Sequence, residues 1–109
     1  MANTFKLKTK ANVGVTTAGI YTAPAATTTV VIGITMANTS GSGVNVGVGI
    51  TRAGTTEDVK LLKNAPIPSG SSLEFMAGNK IVLETTDTVT VDSDTNNSVD
   101  AALTIMEIT

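Results

Sequence analysis

Predicted turns follow one another at short, regular intervals along this sequence. Short runs rich in β-branched residues alternate with Gly, Ser, Asn and Asp clusters along the sequence, at intervals of about 8–12 residues. Thr, Val and Ile account for 20, 12 and 8 residues, and these types favour strands over helices. No segment repeats its apolar residues with a helical period. The sequence therefore predicts an all-β fold, an antiparallel β-sandwich or jelly-roll-like domain of about eight or nine short strands.

Six segments give sharper structural expectations. The run Thr28–Met36 is almost continuously apolar, which predicts a central strand buried on both faces. The run Val44–Thr51 alternates Val or Ile with small residues, which predicts a hairpin with the preceding run across the turn Asn38–Gly43. Two prolines and a glycine make Asn64–Ser72 a long corner instead of a strand. Shorter turns are predicted at Arg52–Thr56 and Ala77–Lys80.

Length and missing residue types exclude many functions. The 109 residues fit a single domain spanning 1–109, and the chain contains no His, Cys or Trp. Catalytic sites that use His or Cys, ordinary zinc sites, and haem or iron–sulfur ligation by those residues are therefore excluded. We expect no enzyme activity and no cofactor. Three aromatic residues offer little to stack on a sugar or a base, and the net charge of −2 does not favour nucleic acid.

The sequence gives no sign of membrane targeting. The N-terminal segment has lysines but no apolar stretch after them, so no secretory signal is expected. No run approaches the length of apolar residues that a membrane span requires. We therefore expect synthesis in the cytoplasm, with neither membrane nor nucleic acid as a partner.

An acidic loop near the C-terminus is the one weak candidate for a metal site. Asp92, Asp94, Asn96 and Asp100 place oxygen ligands at alternate positions, as a calcium loop does. The calcium-loop pattern then fails, because Leu103 stands where a bidentate Glu is needed. We interpret the segment as a solvated hairpin loop with Asx turns, and a calcium site of another type remains the alternative.

Two strand faces are candidate interaction surfaces. Lys6, Lys8 and Lys10 alternate with apolar residues, so residues 1–10 form either a docking strand or arm, or an edge strand protected by its charges. Asn45, Gly47 and Gly49 form a flat strip that lets another surface approach the backbone.

Charge is distributed unevenly along the chain. Residues 1–63 carry six basic and two acidic groups, a net charge of +4, whereas residues 64–109 carry one basic and seven acidic groups, a net charge of −6. This polarity could support head-to-tail or self-complementary association. The alternative is that the two halves interleave in one sandwich, so that the charges mix.

Several segments resemble small virion proteins of tailed bacteriophages, especially phages of cyanobacteria and marine bacteria. The segments are TAPAATTTVVIG followed by MANTSGSGVNVGV, then LLKNAPIPSGSSL, KIVL, DTVTV and the ending VDAALTIMEIT. The resemblance covers roughly residues 20–109 and includes strands and corners without a catalytic signature.

The resemblance implies a capsid decoration or cement protein on the outer shell of the virion. Such a protein stabilises the contacts between neighbouring major capsid subunits, commonly as a homotrimer, so its expected partners are the major capsid protein or another virion protein. No motif of these proteins fixes the docking residues. For such a role we expect Ala2–Lys10 to dock as a strand and the flat face of Asn45, Gly47 and Gly49 to be a packing surface. The alternatives are a neck- or tail-attached virion protein and a carbohydrate- or receptor-binding β-sandwich.

Overall fold

The computed structural model describes residues 3–52, 57–75 and 80–109, and these residues form nine strands joined by turns. The strands are β1 (Asn3–Val13), β2 (Ala18–Thr22), β3 (Thr28–Asn38), β4 (Val44–Arg52), β5 (Glu57–Ile67), β6 (Ser72–Phe75), β7 (Ile81–Leu83), β8 (Asp87–Ser93) and β9 (Val99–Ile108). The all-β prediction is confirmed.

The strands pair into two antiparallel sheets that pack face to face. The five-stranded sheet has the order β1-β9-β3, and β6 and β7 pair with successive parts of the far side of β3. The four-stranded sheet has the order β2-β8-β4-β5. The fold is therefore an antiparallel β-sandwich of jelly-roll-like organisation, as the turn spacing predicted.

The core lies between the inner faces of the two sheets. On β9, Val99, Ala101, Leu103 and Ile105 are almost completely buried, as period-2 alternation requires of a strand with one face on a core. Valines of β4 and β8 cover them from the opposite sheet. The core residues with the largest fully buried side chains are Met36, Ile67, Leu83, Leu103 and Ile105.

The strand β3 is central in its sheet, but the prediction that it is buried on both faces is wrong. Val31, Ile34 and Met36 point into the core and are buried, whereas Val30 and Ile32 on the other face are only half-buried. No layer of described residues covers the outer face of this sheet. The apolar residues of the run therefore lie in two environments, the core on one face and a partly exposed surface on the other.

The predicted hairpin between β3 and β4 is also wrong, because the two strands belong to different sheets. The segment 39–43 arches over one end of the sandwich. The side chain of Asn38 stabilises this arch: its Nδ2 donates to the carbonyl oxygens of Ser42 at 2.7 Å and Ile67 at 3.0 Å, and its Oδ1 accepts from the amide of Ser40 at 2.9 Å. The period-2 alternation of β4 is expected whether β4 packs across the core from β3 or pairs with β3 in one sheet, so the alternation alone could not distinguish the two arrangements.

The predicted corner at Asn64–Ser72 is shorter than expected. Strand β5 continues to Ile67 through an irregularity at Asn64, whose φ of 54° lies in the left-handed region that Asn tolerates. Pro66 then pairs with Asn45, which is compatible with a position on an edge strand. The chain turns at residues 68–71. The predicted turn at Ala77–Lys80 lies mostly outside the described residues, and so does the one at Arg52–Thr56, although Arg52 itself ends β4.

Candidate interaction surface

The strand β1 forms an edge of the five-stranded sheet, with β9 as its neighbour in that sheet. Lys6 pairs with Ile105 and Lys8 with Leu103, and directly paired residues point to the same face. The lysines of β1 therefore lie on the core side of the sheet. Phe5 and Leu7 lie on the outer side, where they are 69% and 64% exposed.

The lysine face of β1 supports the interpretation of a protected edge. Inward-pointing charges at an edge strand discourage pairing with another copy of the same strand, because they would place like charges together. Lys8 and Lys10 are half-buried, and they form no ion pair with another described residue. Docking of residues 1–10 onto a partner, of which Met1 and Ala2 lie outside the described residues, remains a prediction.

The remaining lysine of β1, Lys6, joins a polar network that links the two sheets. Its Nζ lies 2.9 Å from Oε1 of Glu107, which is buried on β9. The Tyr21 hydroxyl, from the opposite sheet, donates to Oε2 of Glu107 at 2.6 Å and lies 2.8 Å from Oγ1 of Thr29. The network thus ties β1, β9 and β3 to β2 at one end of the sandwich.

The network shifts two acid–base equilibria in opposite directions. Hydrogen bonds from Lys6 and Tyr21 lower the pKa of the Glu107 carboxyl below its ordinary value of 4.5. Burial, followed by the hydrogen bond to Glu107, raises the pKa of Tyr21 to about 12. Sequence analysis missed this site. The available signal was Glu107 itself, which continues the buried period-2 positions of β9 where an apolar residue is expected.

The outer face of the five-stranded sheet carries an apolar row. Strand registers place Phe5, Met106, Val30 and Val82 side by side on β1, β9, β3 and β7. Phe5 and Val82 are 69% and 59% exposed, and the two central members are half-buried. Leu7 adjoins this row. We call these five residues the apolar row; none of them is charged.

On the outer face of the four-stranded sheet, groups of the same chain close the space above Gly47 and Gly49. That Asn45, Gly47 and Gly49 pack against a partner stays a prediction. Gly47 and Gly49 are buried. A β-carbon on Gly47 would lie 2.5 Å from Oδ1 of Asp92, and one on Gly49 would lie 2.8 Å from the carbonyl oxygen of Val59. The glycines do permit a close approach, as predicted, but neighbouring strands of the same chain make it.

The acidic loop uses its oxygens to hold the chain together. Asp100 accepts from the amide of Asn12 at 2.9 Å, Asn96 from that of Val15 at 3.0 Å, and Asp94 from that of Asn45 at 3.0 Å. Asp92 accepts from Oγ1 of Thr17 at 3.1 Å and faces Nζ of Lys60 at 3.6 Å. The four candidate ligands thus form separate local contacts. Within residues 3–52, 57–75 and 80–109, no group of three or more acidic side chains could hold a metal ion.

A groove opens between the edges of the two sheets on the side opposite β1. Its floor is apolar, and it is lined by Ile50, Val59, Leu61, Ile81 and Leu83.

A charged cluster closes one end of this groove. Nε of Arg52 lies 3.3 Å from Oδ1 of Asp87, and Arg52 also contacts Glu84. Hydrogen bonds to Asp87 and then Glu84 raise the pKa of the Arg52 guanidinium. Asp87 also accepts from the amide of Glu84 at 3.0 Å, which fixes the turn between β7 and β8.

The buried polar side chains of the described ranges are satisfied within the chain: each of their nitrogen and oxygen atoms has a hydrogen-bond partner. No helix of this part of the chain is long and apolar enough to cross a membrane. Three surfaces of the described residues are candidates for a function: the apolar row, the edge at β1 and the groove beside β7.

No protein-family model and no curated protein matches this chain, but solved structures with a similar fold exist. A chain of the Bacillus endospore appendages, which form disulfide-linked pili, superposes with a TM-score of 0.57 at 17% identity, covering 99% of this chain and 87% of that chain. A chain of the T13 particle of infectious bursal disease virus gives a TM-score of 0.60 at 13% identity, covering 96% of this chain and 30% of the other.

A further viral structure, from the Gx strain of infectious bursal disease virus, gives a TM-score of 0.54 at 13% identity. It covers 96% of this chain and 32% of the viral chain. The present chain thus spans about a third of the length of these viral proteins and most of the appendage protein. At these identities the similarity establishes the fold class, a β-sandwich also found in protein shells and filaments.

Proposed function

We propose that this protein is a structural subunit of a virus particle, and more specifically a decoration protein that binds the outer capsid shell of a tailed bacteriophage. The observation that carries the proposal is the apolar row on a β-sandwich whose other outer face is closed by its own side chains. An exposed, uncharged patch on a small domain is typical of a surface that binds another protein.

The fold supports a structural role over a catalytic one. The viral neighbours with TM-scores of 0.60 and 0.54 come from virus particles. Phage-like segments of the sequence point in the same direction. A rigid sandwich loses little conformational freedom on docking, and many identical weak contacts on a particle add up to stable attachment. The proposed partner is the major capsid protein or another virion protein.

The proposal also includes a homo-oligomer, with a trimer as the expected form on the shell. A surface that binds several capsid subunits at once gains affinity through the linkage of its copies. The apolar row and the edge at β1 lie on the same sheet, so one side of the molecule could contact both the shell and a second copy.

The test is where the protein is found in purified particles. Heads and tails of the phage that carries this gene are separated, and the protein is quantified in each fraction by mass spectrometry. Recovery with heads, and rebinding of purified protein to stripped heads, are the expected results. Recovery with tails would replace decoration by the neck or tail alternative. Absence from particles, combined with binding on a glycan array, would favour the receptor-binding alternative and reject the virion role.

A second candidate is a subunit of a surface filament. The observation behind it is the endospore appendage chain, which this protein covers over 87% of its length. The present chain has no Cys, so the disulfide linkage of those pili is not open to it. Electron microscopy of the concentrated purified protein distinguishes the two candidates, because a filament subunit should form fibres without any capsid.

A further inference from the structure

We propose that β1 is an exchangeable strand: residues Asn3–Lys10 of one copy leave β9 of their own chain and pair with β9 of a second copy, in the register that they have within one chain. The partner is a second copy of this chain, and the surface that it recognises is the edge of β9. This inference goes beyond the proposed function and does not depend on it, since it concerns the purified protein alone.

Strand β1 contributes almost nothing to the core. None of the side chains from Asn3 to Asn12 is buried, and Val13 is the first and only buried residue of the strand. The core side of β1 carries lysines, and its large apolar side chains point outward. The edge strands β2, β5 and β7, by contrast, each bury a large side chain, namely Tyr21, Ile67 and Leu83. The first part of β1 can therefore detach without withdrawing any side chain from the core.

The strand also has a point at which detachment ends. Val13 is completely buried, and the amide of Asn12 donates to Oδ1 of Asp100 at 2.9 Å, so the chain is anchored at these residues. Regular pairing with β9 stops at Lys10, and Asn12 has a φ of 55°, in the left-handed region, so the chain already bends here. Ala11 is exposed and lies between the anchor and the paired residues. Rotation of the backbone at Ala11 is enough to direct the strand away from its own domain.

The edge that β1 leaves selects the same strand as its replacement. Glu107 is buried on β9, and its Oε1 lies 2.9 Å from Nζ of Lys6. Detachment removes this cation from a buried carboxylate, which is costly, and it also frees the backbone N–H and C=O groups of β9 that face β1. A replacement strand must run antiparallel to β9 and carry a cation opposite Ile105. The first strand of a second copy meets both conditions.

Exchange conserves the contacts of the closed chain. Every pair of the regular β1–β9 register, from Asn3 with Ile108 to Lys10 with Ala101, forms again between two chains. The closed and exchanged states therefore differ mainly at Ala11 and in the entropy of association, so the local concentration of copies decides which state predominates. Reciprocal exchange closes a dimer, and successive exchange gives an open series of copies. In both forms every β9 edge is covered.

The decisive experiment traps the exchanged strand with a disulfide. The chain has no Cys, and Leu7 pairs with Thr104 on the outer face of the sheet. The single variants Leu7→Cys and Thr104→Cys, one of them isotope-labelled, are mixed and held in mild oxidant, so that a bond between the two substituted positions can form only between copies. Mass spectrometry of digested, unreduced protein quantifies this link. Because the bond is not reversed under these conditions, a small exchanged population accumulates as linked dimer.

A matched control distinguishes exchange from random collision. Val82→Cys replaces Thr104→Cys in the mixture, because Val82 is 59% exposed on the same outer face but lies on β7, away from the strand that pairs with β1. Exchange places Leu7 of one copy opposite Thr104 of the other, within the reach of a disulfide, and gives no such approach to Val82. We expect the link to Thr104→Cys to exceed the link to Val82→Cys by at least roughly fivefold.

Hydrogen exchange of the unmodified protein tests the detachment independently of association. The amides of β1 that pair with β9 should exchange by local opening, at least roughly tenfold faster than the amides of β3 that pair with the other side of β9. Thermal melts should show that all three Cys variants are folded. The proposal is overturned if the two disulfide mixtures give equal yields, or if the amides of β1 exchange only by global unfolding. Binding to stripped heads is a separate assay, so failure here leaves the proposed function to be tested on its own.

Discussion

The two outer faces of this sandwich differ in what covers them. On the four-stranded sheet, Gly47 and Gly49 leave gaps that Asp92 and the neighbouring strand backbone fill. On the five-stranded sheet, Phe5 and Leu7 project outward, and no described residue covers them. One face is completed within the chain, whereas the other leaves apolar side chains exposed among the described residues.

This difference shows that small side chains do not by themselves mark an interface. The glycine strip of β4 is small because neighbouring side chains occupy the space above it, and its polar groups are satisfied by contacts such as that between Lys60 and Asp92. The apolar row has large side chains and high exposure, which costs free energy in the isolated chain. Exposure of large apolar groups is therefore the better guide to the surface that a partner covers.

The largest loss of stability should come from enlarging a glycine on the closed face of the four-stranded sheet. In Gly49→Val, the β-carbon would lie 2.8 Å from the carbonyl oxygen of Val59, and a backbone atom cannot easily give way. We expect the free energy of unfolding to fall by about 3 kcal/mol, as overpacking of a filled site does. Urea denaturation measures this. Gly41→Ala is the matched control, because a β-carbon there meets nothing within 4 Å, and an equal loss in the control would contradict a closed face.

The next largest effect should come from the network that anchors the edge of the open face. Glu107→Ala removes the acceptor of both Lys6 and the Tyr21 hydroxyl, and it leaves a space at a buried position. We expect a loss of about 2 kcal/mol in the free energy of unfolding. Lys63→Met serves as the control, because Lys63 is exposed on β5 in the opposite sheet, away from this network, and its replacement should change stability by less than about 0.5 kcal/mol.

The same network predicts how stability depends on pH. The pKa of Glu107 is lower in the folded chain, so its contribution is present above 4.5 and is lost as pH falls through the lowered pKa. The pKa of Tyr21 is raised from 10.0 to about 12, so its contribution is present below 10.0 and is lost as pH rises between those values. Unfolding free energies against pH should show both slopes. Glu107→Gln should flatten the acid slope and Tyr21→Phe the alkaline one, and unchanged slopes would count against these shifts.

The sequence predicted the fold class well because strand alternation and turn residues are local signals. It could not assign strands to sheets. The alternation of β4 is the same whether Val46 and Val48 pack across the core or beside β3 in one sheet, and the arch held by Asn38 decides between them. The corner at Asn64–Ser72 was overestimated because an edge strand tolerates Pro66, and edge position is a property of the whole sheet.

The candidate surface was predictable only in part. The lysine alternation marked β1 as an edge strand, and the structure places it at an edge. Which face of β1 points outward depends on its register with β9, which pairs Lys6 with Ile105 and leaves Phe5 exposed. Register is set by long-range pairing, so no local pattern of the first ten residues could reveal that the apolar side chains point to the outer face of the sheet and the lysines to its core side.

The double substitution Phe5→Thr/Leu7→Thr should have the smallest effect on stability. It should also distinguish the two outer faces most clearly, because it should weaken binding without weakening the fold. Both side chains are mostly exposed and Thr suits a strand, so we expect the free energy of unfolding to change by less than about 0.5 kcal/mol. Binding to stripped heads should nevertheless weaken by at least roughly tenfold, because the double variant removes the most exposed apolar groups of the row. Sedimentation of the protein with heads measures binding, and thermal melts measure stability. The matched variant Thr88→Ser on the closed face should leave both unchanged. If the double variant bound normally, the apolar row would not be the docking surface, and the four-stranded sheet or the groove beside β7 would have to carry the contact.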